Sequence, residues 1–123
     1  MAAARSDQLK AIEFLLSVGA KIDQTTKTGK TALIVAAENC CVLSCHLLVN
    51  SGADVNLQDV DGMTALMLAA REGAEKIVRL FVDKRGALIS LCDSQGRTAL
   101  TIAAEKRHKG VCSFLFDQSF LSF

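Results

Sequence analysis

The sequence predicts an all-α solenoid: stacked helix–turn–helix units with β-hairpin fingers between them. Two observations predict it. The phrase TGKTALIVAA at 28–37 recurs as DGMTALMLAA at 61–70 and QGRTALTIAA at 95–104, at intervals of 33 residues (Thr31 to Thr64) and 34 residues (Thr64 to Thr98). A second segment recurs in step with it, as GAKID at 19–23, GADVN at 52–56 and GALIS at 86–90. A fixed period of this size marks small supersecondary units that bury their apolar faces only against their neighbours.

Residues 1–25 align with the second half of a unit, AAARSDQLKAIEFLLSVGAKID running parallel to LAAREGAEKIVRLFVDKRGALIS. The chain is therefore read as about three and a half units: 1–25 partial, then 26–58, 59–92, and 93–123 with its tail. In the 59–92 unit, Gly62 follows acidic residues and supplies the positive φ of a turn. Thr64 stands at a helix N-cap, its hydroxyl placed to accept a first-turn N–H. Ala65 to Arg71 is a short helix burying Leu66, Ala69 and Ala70. Glu72-Gly73 breaks it, and Ala74 to Val82 forms a second helix with Ile77, Val78, Leu80 and Phe81 at helical spacing. Gly86 lies beyond its end, after Lys84 and Arg85, which suit a helix C-terminus.

The same grammar gives Gly29, Thr31, Leu33 and Ala36-Ala37, then Val42 to Val49 and Gly52, in the unit before. It gives Gly96, Thr98, Leu100 and Ala103-Ala104, then Val111 to Phe116, in the unit after. Between units an apolar anchor (Ile22, Val55, Ile89) sits in a short extended arm. The chain ends in VCSFLFDQSFLSF. Phe114, Leu115 and Phe116 cap the core while the tail folds back, or the chain is a piece of a longer array, or this edge docks a partner or a second copy.

These residues resemble the ankyrin repeat family along essentially the whole chain. The family pattern, roughly D-x-x-G-x-T-P-L-H-x-A-A, two helices, then G-A-D-V-N, is matched best by Asp59 to Ala70 and Gly52 to Asn56. The resemblance implies an L-shaped stack with inner helices on a concave face and fingers projecting from it. The family's proline is Ala32, Ala65 and Ala99 here, and its histidine is Ile34, Met67 and Thr101. Alanine keeps the helix, but the family's threonine–histidine hydrogen bond is lost, and less rigid helix starts are expected. The glycine between helices survives only as Gly73, replaced elsewhere by Cys40 and Arg107. One extra residue among Asp83, Lys84 and Arg85 is expected in a surface loop.

Half of the residues are hydrophobic and six are aromatic, all Phe, so the core is built from Ala, Leu, Val and Ile. Fourteen basic and 13 acidic residues leave a net charge of +1, which offers no footprint for nucleic acid or an anionic membrane. The run Lys106-Arg107-His108-Lys109 reads as a solvated turn between helices. No apolar stretch reaches the length of a bilayer span, and the N-terminus lacks a signal-peptide core. Five cysteines, an odd number, favour free thiols in a reducing compartment, cytoplasmic or nuclear.

Gly29-Lys30-Thr31 opens a helix as a phosphate-binding loop does, but position 24 is Gln24 where that motif needs glycine. Cys40, Cys41, Cys45 and His46 are the only soft-ligand cluster. Cys45 and Cys112 share the core register of Val78, where cysteine is a small hydrophobe. Cys92, in a finger, is the expected exposed thiol. No nucleophile can be set beside a histidine and an acid by the repeat geometry, and Asp59 and Asp61 read as turn formers. Neither an enzyme nor a cofactor is expected.

The expected function is non-catalytic binding of a protein partner through finger tips and the concave face, because a rigid array preorganises its variable residues. Similarity to ankyrin proteins places the contacts at Lys27, Thr28, Lys30, Glu38 and Asn39, at Val60, Asp61, Met63, Arg71 and Glu72, and at Ser94, Gln95, Arg97, Glu105 and Lys106. The centre is put at Val60 and Met63, apolar at a turn tip, beside Arg71 and Arg97. The alternative is an architectural fragment of a longer array, self-associating through its apolar C-terminal edge. From the resemblance alone, Asn56, eight residues after Leu48 and preceded by Asp54-Val55, matches the context used by asparaginyl hydroxylases.

Overall fold

The structure, a computed structural model, describes Lys10, Ser17 and residues 21–84 and 86–121. Most of the partial unit expected at 1–25 lies outside the described residues; Lys10 and Ser17 are helical. The described helices form three pairs: α1 (Ala32–Glu38) with α2 (Val42–Asn50), α3 (Ala65–Glu72) with α4 (Glu75–Arg79), and α5 (Ala99–Glu105) with α6 (Lys109–Leu121). Helices α1, α3 and α5 pack in one row, and α2, α4 and α6 behind them in another.

Each inner helix starts on a threonine, as the repeated phrase predicts. Thr31, Thr64 and Thr98 accept the backbone N–H of Ile34, Met67 and Thr101 at 3.2, 3.2 and 3.3 Å. In the third unit, Thr101 also exchanges a hydroxyl–hydroxyl bond with Thr98 at 3.1 Å. A side-chain bond therefore returns there, at the position where histidine is missing. The paired alanines are fully buried at Ala36-Ala37 and Ala69-Ala70, which lets inner helices approach closely.

Each inner helix also stops in one way. The N–H groups of Cys40 and Cys41 bond the carbonyls of Ala37 and Ala36; Gly73 and Ala74 bond Ala70 and Ala69; Arg107 and His108 bond Ala104 and Ala103. This double closure needs a left-handed residue after the helix. Gly73 fills it at φ 71°, and Cys40 and Arg107 are forced into it at φ 57° and 62°. The reading of these two as stand-ins for glycine is correct.

The core runs along the seam between the rows. Leu33, Leu48, Leu66, Ile77, Phe81, Ile102 and Leu115 are all at most 2% exposed. Two expectations change. The extra residue of the second unit does not sit in a surface loop. It widens the outer helix into a π turn at Leu80–Lys84, after which Ala87 N–H returns to the Phe81 carbonyl at 3.0 Å. A single inserted residue is absorbed by i→i+5 bonding, and Leu80 and Phe81 keep their place in the core. At the C-terminal edge, Phe114 and Leu115 are buried but Phe116 is 54% exposed, so it does not cap the core. The side chains of Phe120, Leu121 and Phe123 lie outside the described residues.

The fingers are tight turns, and no strand occurs among the described residues. Each turn is closed by two backbone bonds: Gly62 N–H to Asp59 O and Asp59 N–H to Met63 O, repeated at Thr26/Gly29/Lys30 and Asp93/Gly96/Arg97. One closing pair per finger is too little for a ladder. Single bonds link neighbouring fingers, Val60 N–H to Thr28 O and Ser94 N–H to Asp61 O. Farther along, the Asp23 carboxylate holds the Asp54 N–H at 3.1 Å, and Asn56 Oδ1 holds the Leu88 N–H at 2.8 Å. These two bonds occupy equivalent places in successive units.

Candidate protein-interaction surface

Ion pairs draw six of the expected contact residues of the finger tips and inner helices together. Lys30 meets Glu38 at 3.0 Å within the first unit, and Arg97 meets Glu105 at 3.2 Å at the same two positions of the third. In the second unit Met63 replaces the cation and Arg71 replaces the acid, so no pair forms within the unit and Arg71 turns elsewhere. It stands 3.6 Å from Glu38 and 3.4 Å from Glu72. Lys27, Thr28, Asp61, Ser94, Gln95 and Lys106 are exposed. Asn39 is exposed and donates from its side chain to the Val35 carbonyl at 2.9 Å.

Met63 is the main correction. It is only 7% exposed and belongs to the core, so it cannot centre a tip. Its position lies between the Asp59 turn and the Thr64 cap. Lys30 and Arg97 at this place reach across the helix face to a carboxylate, whereas an apolar methionine gains by covering the core instead. Val60 remains the apolar tip residue, 66% exposed.

Sequence reasoning missed Asp93. Its carboxylate accepts the N–H groups of Gln95 and Arg97, each at 2.9 Å, and the Arg97 Nε at 3.0 Å. Burial pushes this carboxyl upward, but the backbone donors of Arg97 and Gln95 and the Arg97 guanidinium outweigh it and hold it below the ordinary carboxylate value. The available signal was its register with Asp59, which accepts the N–H groups of Asp61 and Met63. Gln58, also missed, bridges two fingers by donating to the Gly62 and Cys92 carbonyls at 2.9 Å. Its role has no counterpart in the other units among the described residues. His108 bonds the Arg71 carbonyl at 2.8 Å and packs against Gly73.

Fingers two and three and helices α3 and α5 enclose an open cleft of about 430 Å³. Asp61, Ser94 and Gln95 form its rim, buried Met63 and Ile102 its floor, and Arg71, Arg97 and Lys106 its cationic side. Asn56, the residue singled out for hydroxylation, is half-buried, and its side-chain oxygen is engaged by Leu88 N–H. Cys45 is buried and Cys92 exposed, as expected, whereas Cys112, in the same register as buried Val78, is only half-buried. No group of three or more His, Cys, Asp or Glu side chains is placed to hold a metal ion among the described residues. No helix among them is long and apolar enough to cross a membrane.

Comparison with known proteins agrees with this architecture. A family model for ankyrin repeats in three copies matches residues 1–59 and 42–121. The chain is 46% identical over 57 residues to protein phosphatase 1 regulatory subunit 12A of Mus musculus, covering 46% of this chain and 6% of that protein. It is 39% identical over 80 residues to protein glp-1 of Caenorhabditis elegans, covering 58% of this chain and 6% of that protein. It is 32% identical over 84 residues to the ankyrin repeat and KH domain-containing protein mask-1 of the same organism, covering 68% of this chain and 3% of that protein. The chain thus spans only a few per cent of the length of these relatives. With the threonine caps, paired alanines and left-handed helix ends in register, the chain belongs to the ankyrin repeat family.

Proposed function

We propose that this chain is a non-catalytic recognition module that binds a protein partner across its finger tips and concave face. Ankyrin repeats are generally protein-interaction modules. The observation that carries the reading is the cleft between fingers two and three, where Gln95, Ser94 and Asp61 stand on turns locked by Asp93 and Asp59. Side chains mounted on such turns lose little freedom on binding. Lys27, Lys30, Glu38, Asn39 and Val60, with Arg71, Glu72, Arg97 and Glu105, extend the same face. Five free thiols suit a cytoplasmic or nuclear setting.

An affinity capture from the source cells, quantified for the native chain and for Val60→Ala combined with Gln95→Ala, tests this reading. The double variant is expected to lose about tenfold or more in affinity, equivalent to about 1.4 kcal/mol. Unchanged capture of every partner by a folded double variant overturns it.

A second reading is self-association or docking of further repeats at the C-terminal edge, and the exposure of Phe116 favours it. Sedimentation of the native chain and of Phe116→Glu decides: a native chain that stays monomeric overturns it.

A further inference from the structure

We propose that the cleft between fingers two and three takes a protein segment presenting a carboxylate side chain, clasped by Arg71 and Lys106 over the apolar floor of Met63 and Ile102. The inference rests on the recognition reading above and specifies the chemistry of the partner.

The cleft holds hydrogen-bond donors that the fold leaves unspent. Three cations line this cleft, Arg71, Arg97 and Lys106. Arg97 is committed, its Nε to Asp93 at 3.0 Å and its Nη1 to Glu105 at 3.2 Å. Arg71 is not. Its two carboxylates lie at 3.4 and 3.6 Å, beyond the roughly 2.7–2.9 Å of a charge-assisted hydrogen bond. Its guanidinium makes no hydrogen bond among the described residues, although it carries five donors in a planar fork suited to a carboxylate. Its side chain is 36% exposed, partly withdrawn from solvent and still reachable. Lys106 is exposed at the end of α5 and forms no ion pair among the described residues.

Glu38 and Glu72 flank Arg71 at 3.6 and 3.4 Å and offset part of its charge, while Lys106 has no acid paired with it among the described residues. Asp93 is spent on Arg97 and on its own turn, and its side chain is only 2% exposed. Asp61 stands at the opposite rim, on the finger tip. The helix end of the cleft thus holds one unpaired cation, Lys106, and one loosely paired one, Arg71, with an acid at the tip, an arrangement that suits one placed carboxylate better than a polyanion such as a nucleic acid. Met63, 7% exposed at the floor, leaves a small apolar rest for the methylene stem of an aspartate or glutamate. The first interval of the array lacks this arrangement: where the second interval has Arg71 and Lys106, it carries Glu38 and Glu72.

Selection of short random peptides displayed on phage, carried out on the native chain, Arg71→Gln, Lys106→Gln and Val60→Ala with Gln95→Ala, tests the inference. Peptides selected by the native chain are expected to be enriched in aspartate or glutamate at one place. Replacing that acid by its amide in the synthetic peptide should weaken binding about tenfold. Arg71→Gln and Lys106→Gln should each abolish the enrichment, and Arg71→Lys, which keeps the charge but loses the fork, should weaken it. Peptides without acid bias that still need Val60 and Gln95 overturn the carboxylate proposal while leaving the recognition reading standing. Failure to select any peptide, or binding indifferent to all the variants, overturns both. Circular dichroism melting of each variant establishes that it is folded, and Arg71→Lys carries the test if Arg71→Gln does not fold.

Discussion

Arg71 leans back across a repeat boundary to the Glu38 carboxylate, 3.6 Å away, because the second unit places an arginine where its neighbours place an acid, Glu38 and Glu105. Glu38 thereby serves two cations, Lys30 at 3.0 Å and Arg71. Pairs this exposed contribute between zero and about 1 kcal/mol. Arg71→Gln is accordingly expected to shift the urea midpoint by less than about 1 kcal/mol of stability. A larger loss would mean that Arg71 is a structural residue and not a reserve of binding donors.

Asp93 should make folding sensitive to acid. Its carboxyl titrates lower in the folded chain than its ordinary value of 3.8, which the unfolded chain regains. Between those two values the unfolded state binds more protons, so stability rises with pH across the window. The contribution is fully present above the ordinary value and is lost as pH falls through the folded one. Urea unfolding at neutral and acid pH should show a smaller acid loss for Asp93→Asn than for the native chain. Equal losses would exclude Asp93 as the cause.

Two glycines with nearly the same backbone separate conformational cost from crowding. Gly96, at φ 78°, has open space where a Cβ would go, whereas a Cβ on Gly62, at φ 77°, would stand 2.9 Å from Ser94 N and 3.0 Å from Asp93. Gly96→Ala should cost about 1 kcal/mol, the penalty of the left-handed region alone. Gly62→Ala should cost about 1–3 kcal/mol more, since backbone must shift. Thermal melts of the two variants compare them directly, and equal costs would rule out the close finger-to-finger approach.

Arg107 offers a stabilising substitution. It occupies a left-handed helix end at φ 62° where Gly73 does the same work without strain. Arg107→Gly should raise stability by about 0.5–1 kcal/mol, measured by urea denaturation. A neutral or negative change would mean that the arginine side chain contributes more than its backbone costs.

Burial, helped by Cys41 and Cys40 nearby, pushes the Cys45 thiol up from 9.0 to about 12. Below 9.0 the thiol is neutral folded or unfolded; as pH rises from there towards 12, only the unfolded chain ionises and stability falls. Cys45→Val, which matches Val78 in register, should cost less than about 1.5 kcal/mol at neutral pH and show less of the alkaline loss. Under native conditions iodoacetamide should modify exposed Cys92 first and leave Cys45 untouched until unfolding. Early labelling of Cys45, read by peptide mass mapping, would contradict its burial.

The scaffold was legible because its letters recur where backbone chemistry demands them. Threonine caps, paired alanines and a left-handed position after each inner helix appear in every unit, so register alone transfers a role from Thr64 to Thr31 and Thr98. The site was legible only in outline. Charge at Lys30, Arg71 and Arg97 is visible in sequence, but which carboxylate each one finds depends on distances across repeats. Met63 misled because an unbranched apolar side chain at a tip position can fold inward, and one sequence does not reveal direction. Gln58 acts through two carbonyls, one of them 34 residues away, and no local pattern announces such a reach.

The wide turn at Leu80–Lys84 separates two rulers that the chain otherwise keeps aligned. Residue count advances by 33 from Leu48 to Phe81 and by 34 from Phe81 to Leu115, while all three remain fully enclosed. Spacing in the stack is therefore metered by side-chain contact and not by chain length. An insertion at such a place changes the text of a unit without moving its neighbours, which leaves each unit free to diverge in length on its own.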